Sequence, residues 1–272
     1  NDTLVTGGDV YHSGLQFNLD GSYVLYYADQ NMDGIFEIYS VTSTGKTPTK
    51  LNDRLVAGGN VSPSGLQFSP EGSRVLYLAD QDTDEVWEIY SVPSTGGTPV
   101  KLNGVLVSGG DVYGSSLKFN ADGSRVLYRA DQDTNGVFEI YIASSTGSTP
   151  IKLNDELVSG GNVDYRGLQF SPDGSRVLYL ADQDTDDINE LYIVSSSGGT
   201  SVKLNDALDA GGNVDFSGLQ FSPDGSRVLY RADQAANSVY EIYSVTSTGS
   251  TPVKLNANLV VGGDVHHDGL QF

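Results

Sequence analysis

Cysteine is absent from all 272 residues, which removes disulfide frameworks, thiolate metal sites and cysteine nucleophiles at once. Positive charge is scarce. With 15 Lys and Arg against 35 Asp and Glu, the net charge of −20 opposes a phosphate backbone, so nucleic acid is excluded as a partner, and an anionic membrane surface with it. No apolar run approaches the roughly 18 residues of a spanning helix. The chain begins at Asn1 without a basic and apolar leader, so a soluble, mature or excised form is expected. Helical periodicity is missing throughout, as are the marks of several enzyme classes. There is no G-x-S-x-G elbow, and the six Gly-Gly-Asp-Val or Gly-Gly-Asn-Val segments precede no helix that would make them phosphate or dinucleotide loops.

Repetition is what the chain has instead. Phe17, Phe68, Phe119, Phe170, Phe221 and Phe272 stand 51 positions apart, with no insertion or deletion between them. Five repeats (1–51, 52–102, 103–153, 154–204 and 205–255) are followed by the start of a sixth at 256–272, and a period of this size marks a propeller, solenoid or array. No linker or composition shift interrupts it, so residues 1–272 are expected to form a single domain. The 33 Gly, 16 Tyr and few Lys suit an all-β protein of an extracellular or periplasmic compartment.

The fourth repeat shows the pattern. Gly167-Leu168-Gln169-Phe170 reads as a short strand, closed by the turn Ser171-Pro172-Asp173-Gly174-Ser175, in which Pro presets φ, Asp caps its own turn and Gly takes a positive φ. Arg176 to Ala181 is a second strand, whose continuous apolar run implies cover on both faces. After the acidic loop Asp182 to Asn189 come a third strand, Glu190 to Val194, and a fourth, more polar one, Ser201 to Asn205, whose Lys suits a sheet edge. Four antiparallel strands per repeat with apolar middle strands describe a blade packed between like blades.

The motif Ser-Pro-Asp-Gly-Ser-Arg with Val-Leu-Tyr, an Asp-rich loop and Glu-Ile-Tyr resembles the WD40-like PD40 repeat of TolB-type β-propellers. Ser69-Pro70-Glu71-Gly72, Ser171-Pro172-Asp173-Gly174 and Ser222-Pro223-Asp224-Gly225 carry the resemblance best, while Asn18-Leu19-Asp20-Gly21 and Asn120-Ala121-Asp122-Gly123 lose the Pro. It implies an all-β propeller of five four-stranded blades and leaves function open, since such propellers include binding modules and domains attached to enzymes. Gly269-Leu270-Gln271-Phe272 would be a surplus first strand. It competes with residues 1–17 for one place, completes a blade in a neighbouring chain, or continues a longer array.

The acidic loops read DQNMDGIFE (29–37), DQDTDEVWE (80–88), DQDTNGVFE (131–139), DQDTDDINE (182–190) and DQAANSVYE (233–241), and hold 18 of the 35 acidic residues. Oxygen side chains recur at positions 1, 3, 5 and 9: Asp29, Asn31, Asp33 and Glu37; Asp80, Asp82, Asp84 and Glu88; Asp131, Asp133, Asn135 and Glu139; Asp182, Asp184, Asp186 and Glu190. Alternate oxygen ligands resemble the D-x-D-x-D-G calcium loops of propellers, and Gly34 and Gly136 would make the sharp turn, so a structural Ca²⁺ is one expectation. The other is a set of solvated turns in which the closing Glu pairs with an Arg such as Arg129 or Arg231. Ala235 removes a ligand from the fifth loop.

The tripeptide before each first strand is the most variable place: Tyr11-His12-Ser13, Ser62-Pro63-Ser64, Tyr113-Gly114-Ser115, Asp164-Tyr165-Arg166, Asp215-Phe216-Ser217 and His266-His267-Asp268. In a propeller these segments lie near the channel. Tyr11, His12, Tyr113, Asp164, Tyr165, Arg166, Asp215, Phe216, His266 and His267 are therefore candidates to bind a protein, peptide or glycan, unless the variation merely reflects an unconstrained loop. The expected function is that of a non-catalytic binding or scaffold propeller with Ca²⁺ loops. A self-associating structural repeat protein and a carbohydrate- or peptide-processing enzyme domain are the alternatives. No catalytic residue is singled out, because nearly every carboxylate belongs to a repeated position.

Overall fold

The computed structural model describes Asn1 and residues 3–266. Five four-stranded antiparallel sheets, one per repeat, make the fold a β-propeller of five blades; the only helical element among the described residues is a 3₁₀ turn at Gly114–Ser116. No helix among them is long and apolar enough to cross a membrane. The chain divides into two compact units, Asn1–Gly136 with Tyr141–Pro150, and Val137–Ile140 with the residues from Ile151 onward.

The fourth blade's strands are Val163–Phe170, Arg176–Ala181, Glu190–Ser195 and Val202–Lys203, paired in chain order. The second strand is where the sequence places it. The first is twice the expected length, because it takes in the variable tripeptide, and it is broken in the middle: Asp164 faces Leu180 and Gln169 faces Leu178, so four residues of one strand oppose one of the other. The same irregularity recurs in blades one, two and five, where Gly14, Gly65 and Gly218 sit in it at φ of 89°, 78° and 85°. Blade three has Ser116 at that position. There the irregular stretch is the 3₁₀ turn, leaving only Lys118–Phe119 and the bridge Val112↔Ala130. The fourth strand is two residues, shorter than the pattern suggests. The surplus strand, 269–272, lies outside the described residues.

The tight turn behaves as its residues require. Asp173 Oδ1 accepts from Ser175 N at 3.0 Å and from Ser171 Oγ at 2.6 Å, with Gly174 at φ 70°. These donors hold the Asp173 carboxyl down to about 2. Where Asn18 replaces the Ser, its Oδ1 accepts the Tyr23 N–H at 2.8 Å, the bond that Ser171 Oγ accepts from Arg176 N at 3.0 Å.

Within each unit, adjacent blades cover the facing sides of each other's middle strands. In the first unit, Leu25, Ile38 and Leu51 of blade one pack with Val61, Leu66, Val75 and Tyr77 of blade two. Leu76, Ile89 and Leu102 of blade two pack likewise with Val112, Leu117 and Val126 of blade three. In the second unit, Leu178, Leu191 and Leu204 meet Val214, Leu219 and Val228. Gln side chains tie the first strands together, Gln16 Nε2 donating to Leu66 O (2.9 Å) and Gln169 Nε2 to Leu219 O (2.7 Å).

Leu204→Ala is therefore expected to cost about 2–5 kcal/mol in chemical denaturation, as a cavity in a dry inter-blade core. Val105→Ala, at a site 94% exposed, is expected to change stability by less than about 0.5 kcal/mol.

Candidate functional site

Each acidic loop begins with a buried or nearly buried Asp whose two carboxylate oxygens are both used. Asp80 Oδ1 accepts from Asn60 N at 2.5 Å and Oδ2 from Glu85 N at 3.2 Å; Asp131 accepts from Asp111 N (2.7 Å) and Gly136 N (2.9 Å). Asp29, Asp182 and Asp233 are held by the same two N–H groups of their repeats. The first donor belongs to the Gly-Gly-Asn/Asp-Val segment, and that segment's own side chain reaches the preceding blade, where Phe36 N donates to Asn60 Oδ1 (3.0 Å) and Asn189 N to Asn213 Oδ1 (2.8 Å). The Gly pair is needed for the approach: Gly58 has φ 92°, and a Cβ on Gly59 would lie 2.6 Å from Asp80 O. Position 1 thus fastens the connection between repeats to the loop.

Position 9 is committed as well. Lys50 Nζ meets Glu37 Oε1 at 2.7 Å, Lys101 meets Glu88 at 2.7 Å, Lys152 meets Glu139 at 2.9 Å and Lys203 meets Glu190 at 2.5 Å, with Lys254 on Glu241. A Tyr hydroxyl donates to the other oxygen, as from Tyr192 to Glu190 Oε2 at 2.7 Å, and that ring stacks on its cross-strand partner Tyr179 with centroids 5.3 Å apart. The closing Glu therefore pairs with the fourth-strand Lys and not with an Arg. Arg231 is engaged by Asp215 and Asp264 and lies 3.9 Å above the Tyr240 ring, and Arg129 lies over Tyr113 at 5.6 Å. Asp182 and Glu190 do not face each other across the hairpin, since Ala181 is the residue opposite Glu190. Burial works to raise the Glu37 carboxyl, but Lys50, Tyr39 and Asn31 overcome it and hold it below its ordinary range; Glu241 is lowered in the same way by Lys254, Tyr243 and Asn256.

Positions 3 and 5 are exposed. Asn31 donates to Glu37 Oε2 and to Tyr39 Oη, both at 2.9 Å, and Asp82 and Asp184 each add a second carboxylate to the lysine of their blade, at 2.7 and 3.0 Å. Asp133 is exposed too. Asp33, Asp84, Asn135 and Asp186 lie over Gly7, Gly58, Gly109 and Gly160. The turn at position 6 is left-handed in all five loops, with Gly34 and Gly136 joined there by Glu85, Asp187 and Ser238 at φ near 62°. The four oxygens at 1, 3, 5 and 9 are thus spread between two structural networks. One group of three carboxylates within 4.8 Å of one another is present among the described residues: Asp182, Asp186 and Asp187 in the fourth loop, at positions 1, 5 and 6.

The variable residues lie in the irregular part of the first strands. Tyr11 is half-buried, edge-on to Phe36 and Tyr27 with centroids 5.0 and 6.0 Å away, and His12 and His266 are exposed. Tyr113 is half-buried beside Arg129. His267 lies outside the described residues. In the second unit two tripeptides meet: the Arg166 guanidinium lies 4.3 Å from the Phe216 ring centroid and 5.7 Å from that of Tyr165, and is paired with the Asp164 carboxylate. Tyr165 and Phe216 are 46% and 41% exposed. Asp215, by contrast, is turned to Arg231. The lysine clasp escaped a reading aimed at alternating oxygens, although a Glu followed 13 residues later by Lys in every repeat signals it.

No family model and no curated protein matches the chain. Among solved structures it is similar to prolyl oligopeptidase B from Galerina marginata (TM-score 0.54, 14% identity, covering 91% of this chain and 37% of that one). It is similar also to an oligogalacturonate lyase in complex with manganese (TM-score 0.52, 15% identity, covering 95% and 74%), and to a protein assigned as TolB in Agrobacterium tumefaciens (0.48, 20%, covering 89% and 79%). At these identities the likeness shows the β-propeller fold alone.

Two outcomes follow from the clasp. Lys203→Met strands Glu190 and is expected to cost on the order of 1–2 kcal/mol, a figure reduced for the partial exposure of the lysine, and adding Glu190→Gln should restore at least half of it in a double-mutant cycle. Glu37 and Glu241 have folded values below their unfolded ones, so their contribution is complete above the unfolded glutamate value of about 4.3 and is lost as pH falls through the lower folded values. Asp173 and Asp224, at about 2, carry the loss to that pH. The melting temperature should therefore be level above about pH 5 and fall steadily below about pH 4.

Proposed function

We propose that the chain is a non-catalytic binding and scaffold propeller that presents Tyr165, Arg166 and Phe216 to a peptide segment of a partner protein. The observation that carries this reading is the pair of exposed rings bridged by one guanidinium; among the other described aromatic side chains only Phe17 is exposed. Aromatic rings and Arg are the side chains that dominate binding energy at interfaces, and a guanidinium fixed by its own carboxylate loses little freedom when a ligand settles on it. The non-catalytic reading is supported by the loop carboxylates. The buried ones are tied to backbone N–H groups or to lysine, alike in every blade, which leaves none distinguished for acid–base work. Composition supports an extracellular or periplasmic site of action.

Binding to arrayed peptides, with neutral glycans printed alongside, tests the patch. Phe216→Ala and Tyr165→Ala should each weaken the strongest peptide signal at least about tenfold, the loss of about 1.4 kcal/mol. Equal signals from the variants and the parent would remove the patch, and a glycan-only signal would change the ligand class.

For calcium, the structure favours the fourth loop over the other four. Its three clustered carboxylates would supply charge and oxygen ligands to a hard cation, while Glu190 stays with Lys203. Millimolar Ca²⁺ is expected to raise the melting temperature, reversibly with chelator, because a ligand of the native state stabilises it by mass action. Asp186→Asn should abolish the rise. A melting curve unmoved by Ca²⁺ would eliminate a stabilising site.

A further inference from the structure

The chain contains two Asn-Gly pairs, and both lie in the same tripeptide, Asn103-Gly104-Val105 and Asn135-Gly136-Val137. We infer that the fold protects the first and leaves the second as a site of spontaneous deamidation, so that the third acidic loop gains a carboxylate after synthesis. Asn-Gly is the pair whose side-chain amide is most open to attack by the next backbone nitrogen, because glycine brings no Cβ to the reacting atoms. Asn135 and Gly136 are exposed, and a Cβ built on Gly136 would meet nothing within 4 Å. The Asn135 amide makes no hydrogen bond to a described residue and rests over Gly109. Asn103 is the contrary case. It is 7% exposed, its Oδ1 accepts from Ile89 N at 3.0 Å, and its Nδ2 donates to Gly104 O at 2.9 Å. Gly104 N is held in turn by Gln132 Oε1 at 2.8 Å, and Gln132 Nε2 stands 2.9 Å from where a Cβ on Gly104 would be. An amide fixed through both its polar atoms and packed from behind cannot turn its carbon toward the nitrogen.

The reaction needs only the chain and water. Gly136 N attacks Cγ of Asn135, and an N–Cγ bond forms as the Cγ–Nδ2 bond breaks. The departing nitrogen takes up the proton that Gly136 N loses and leaves as ammonia. That proton has an acceptor on its way, since Gly136 N donates to Asp131 Oδ2 at 2.9 Å. Water then opens the cyclic imide. Cleavage of the N–Cγ bond restores the normal backbone with an aspartate side chain, and cleavage at the backbone carbonyl carbon of position 135 leaves isoaspartate, with the chain running through the side-chain carbons. The first product suits the fold. Position 5 is Asp in loops one, two and four, where Asp33, Asp84 and Asp186 lie over Gly7, Gly58 and Gly160 as Asn135 lies over Gly109. The modified third loop carries acids at positions 1, 3 and 5, the pattern of loops two and four. No residue of the aromatic patch takes part.

Peptide mapping by mass spectrometry tests this on the whole chain, incubated warm at mildly alkaline pH for weeks. Position 135 is expected to convert to a mixture of aspartate and isoaspartate, and position 103 at least about tenfold more slowly. The same incubation in denaturing guanidinium should bring the two rates within about threefold of each other, since the tripeptides are alike. Gly136→Glu installs the residue that loop two carries there at φ 61°, and Glu85 N makes the equivalent bond to Asp80 Oδ2. That variant should keep the parent's melting temperature and slow conversion at position 135 at least about tenfold. A folded chain that keeps its amide at position 135 would overturn the inference, and so would conversion at position 103 as fast as at 135 or an unslowed Gly136→Glu variant. A contrast that persists in guanidinium would place its cause in the sequence instead of the fold, and would overturn it as well.

Discussion

A four-stranded sheet that is apolar on both faces cannot stand alone in water, and everything else in this chain answers to that constraint. Within each unit the middle strands of one blade bury a face on the next blade, so the hydrophobic core there is not a centre but a series of seams. Repeats of this kind are stable only as neighbours, with stability divided between what a repeat does alone and what each seam adds. The polar groups are arranged to hold the seams in register. The Gln of a first strand, as in Gln16, the Asn or Asp after the glycine pair and the Asp that opens the acidic loop bond across or beside a seam.

Seen this way, the acidity of the loops has two sources. At positions 1 and 9 the charge is inward and structural: the two oxygens of the Asp carboxylate each accept a backbone N–H, and the closing Glu needs its lysine because a charge buried without a partner is costly. At positions 3, 5 and 6 the charge is outward and differs from blade to blade. In the fourth loop Asp186 and Asp187, at positions 5 and 6, stand close to Asp182.

Much of this was legible in the sequence. The 51-residue period, the Ser-Pro-Asp-Gly turn and the unbroken apolar second strand point to blades, and blades are what the chain forms. What could not be read was anything set by register between strands. The break within the first strand is invisible in residue order because Gly167-Leu168-Gln169-Phe170 already looks like a whole strand, while the backbone continues through Asp164-Tyr165-Arg166 to Val163. The partner of Glu190 was misjudged for a related reason. A lysine on a short, polar fourth strand reads as an edge residue facing water, and only the pairing of Tyr192 with Lys203 shows that its ammonium reaches back to the carboxylate. The aromatic patch was half legible: variability picked out Tyr165, Arg166 and Phe216 among ten residues, and only the folded chain brings these three together.

The near-identity of the repeats has a consequence for how the chain reaches its native state. A first strand from one repeat carries the same Leu, Phe and hairpin turn as the first strand of the next, so a strand that pairs with the wrong neighbour still satisfies most of its bonds. Exchange between like neighbours is a characteristic failure of tandem repeats, and sequence difference is the defence against it. Here the differences cluster at the strand break. Asp215 matches Arg231 and no other second strand offers it a buried arginine; Tyr113 matches Arg129; and Ser116 makes the third repeat's first strand a poor substitute for its siblings. In blades three and five the variable residues thus meet a second strand whose arginine no other repeat supplies.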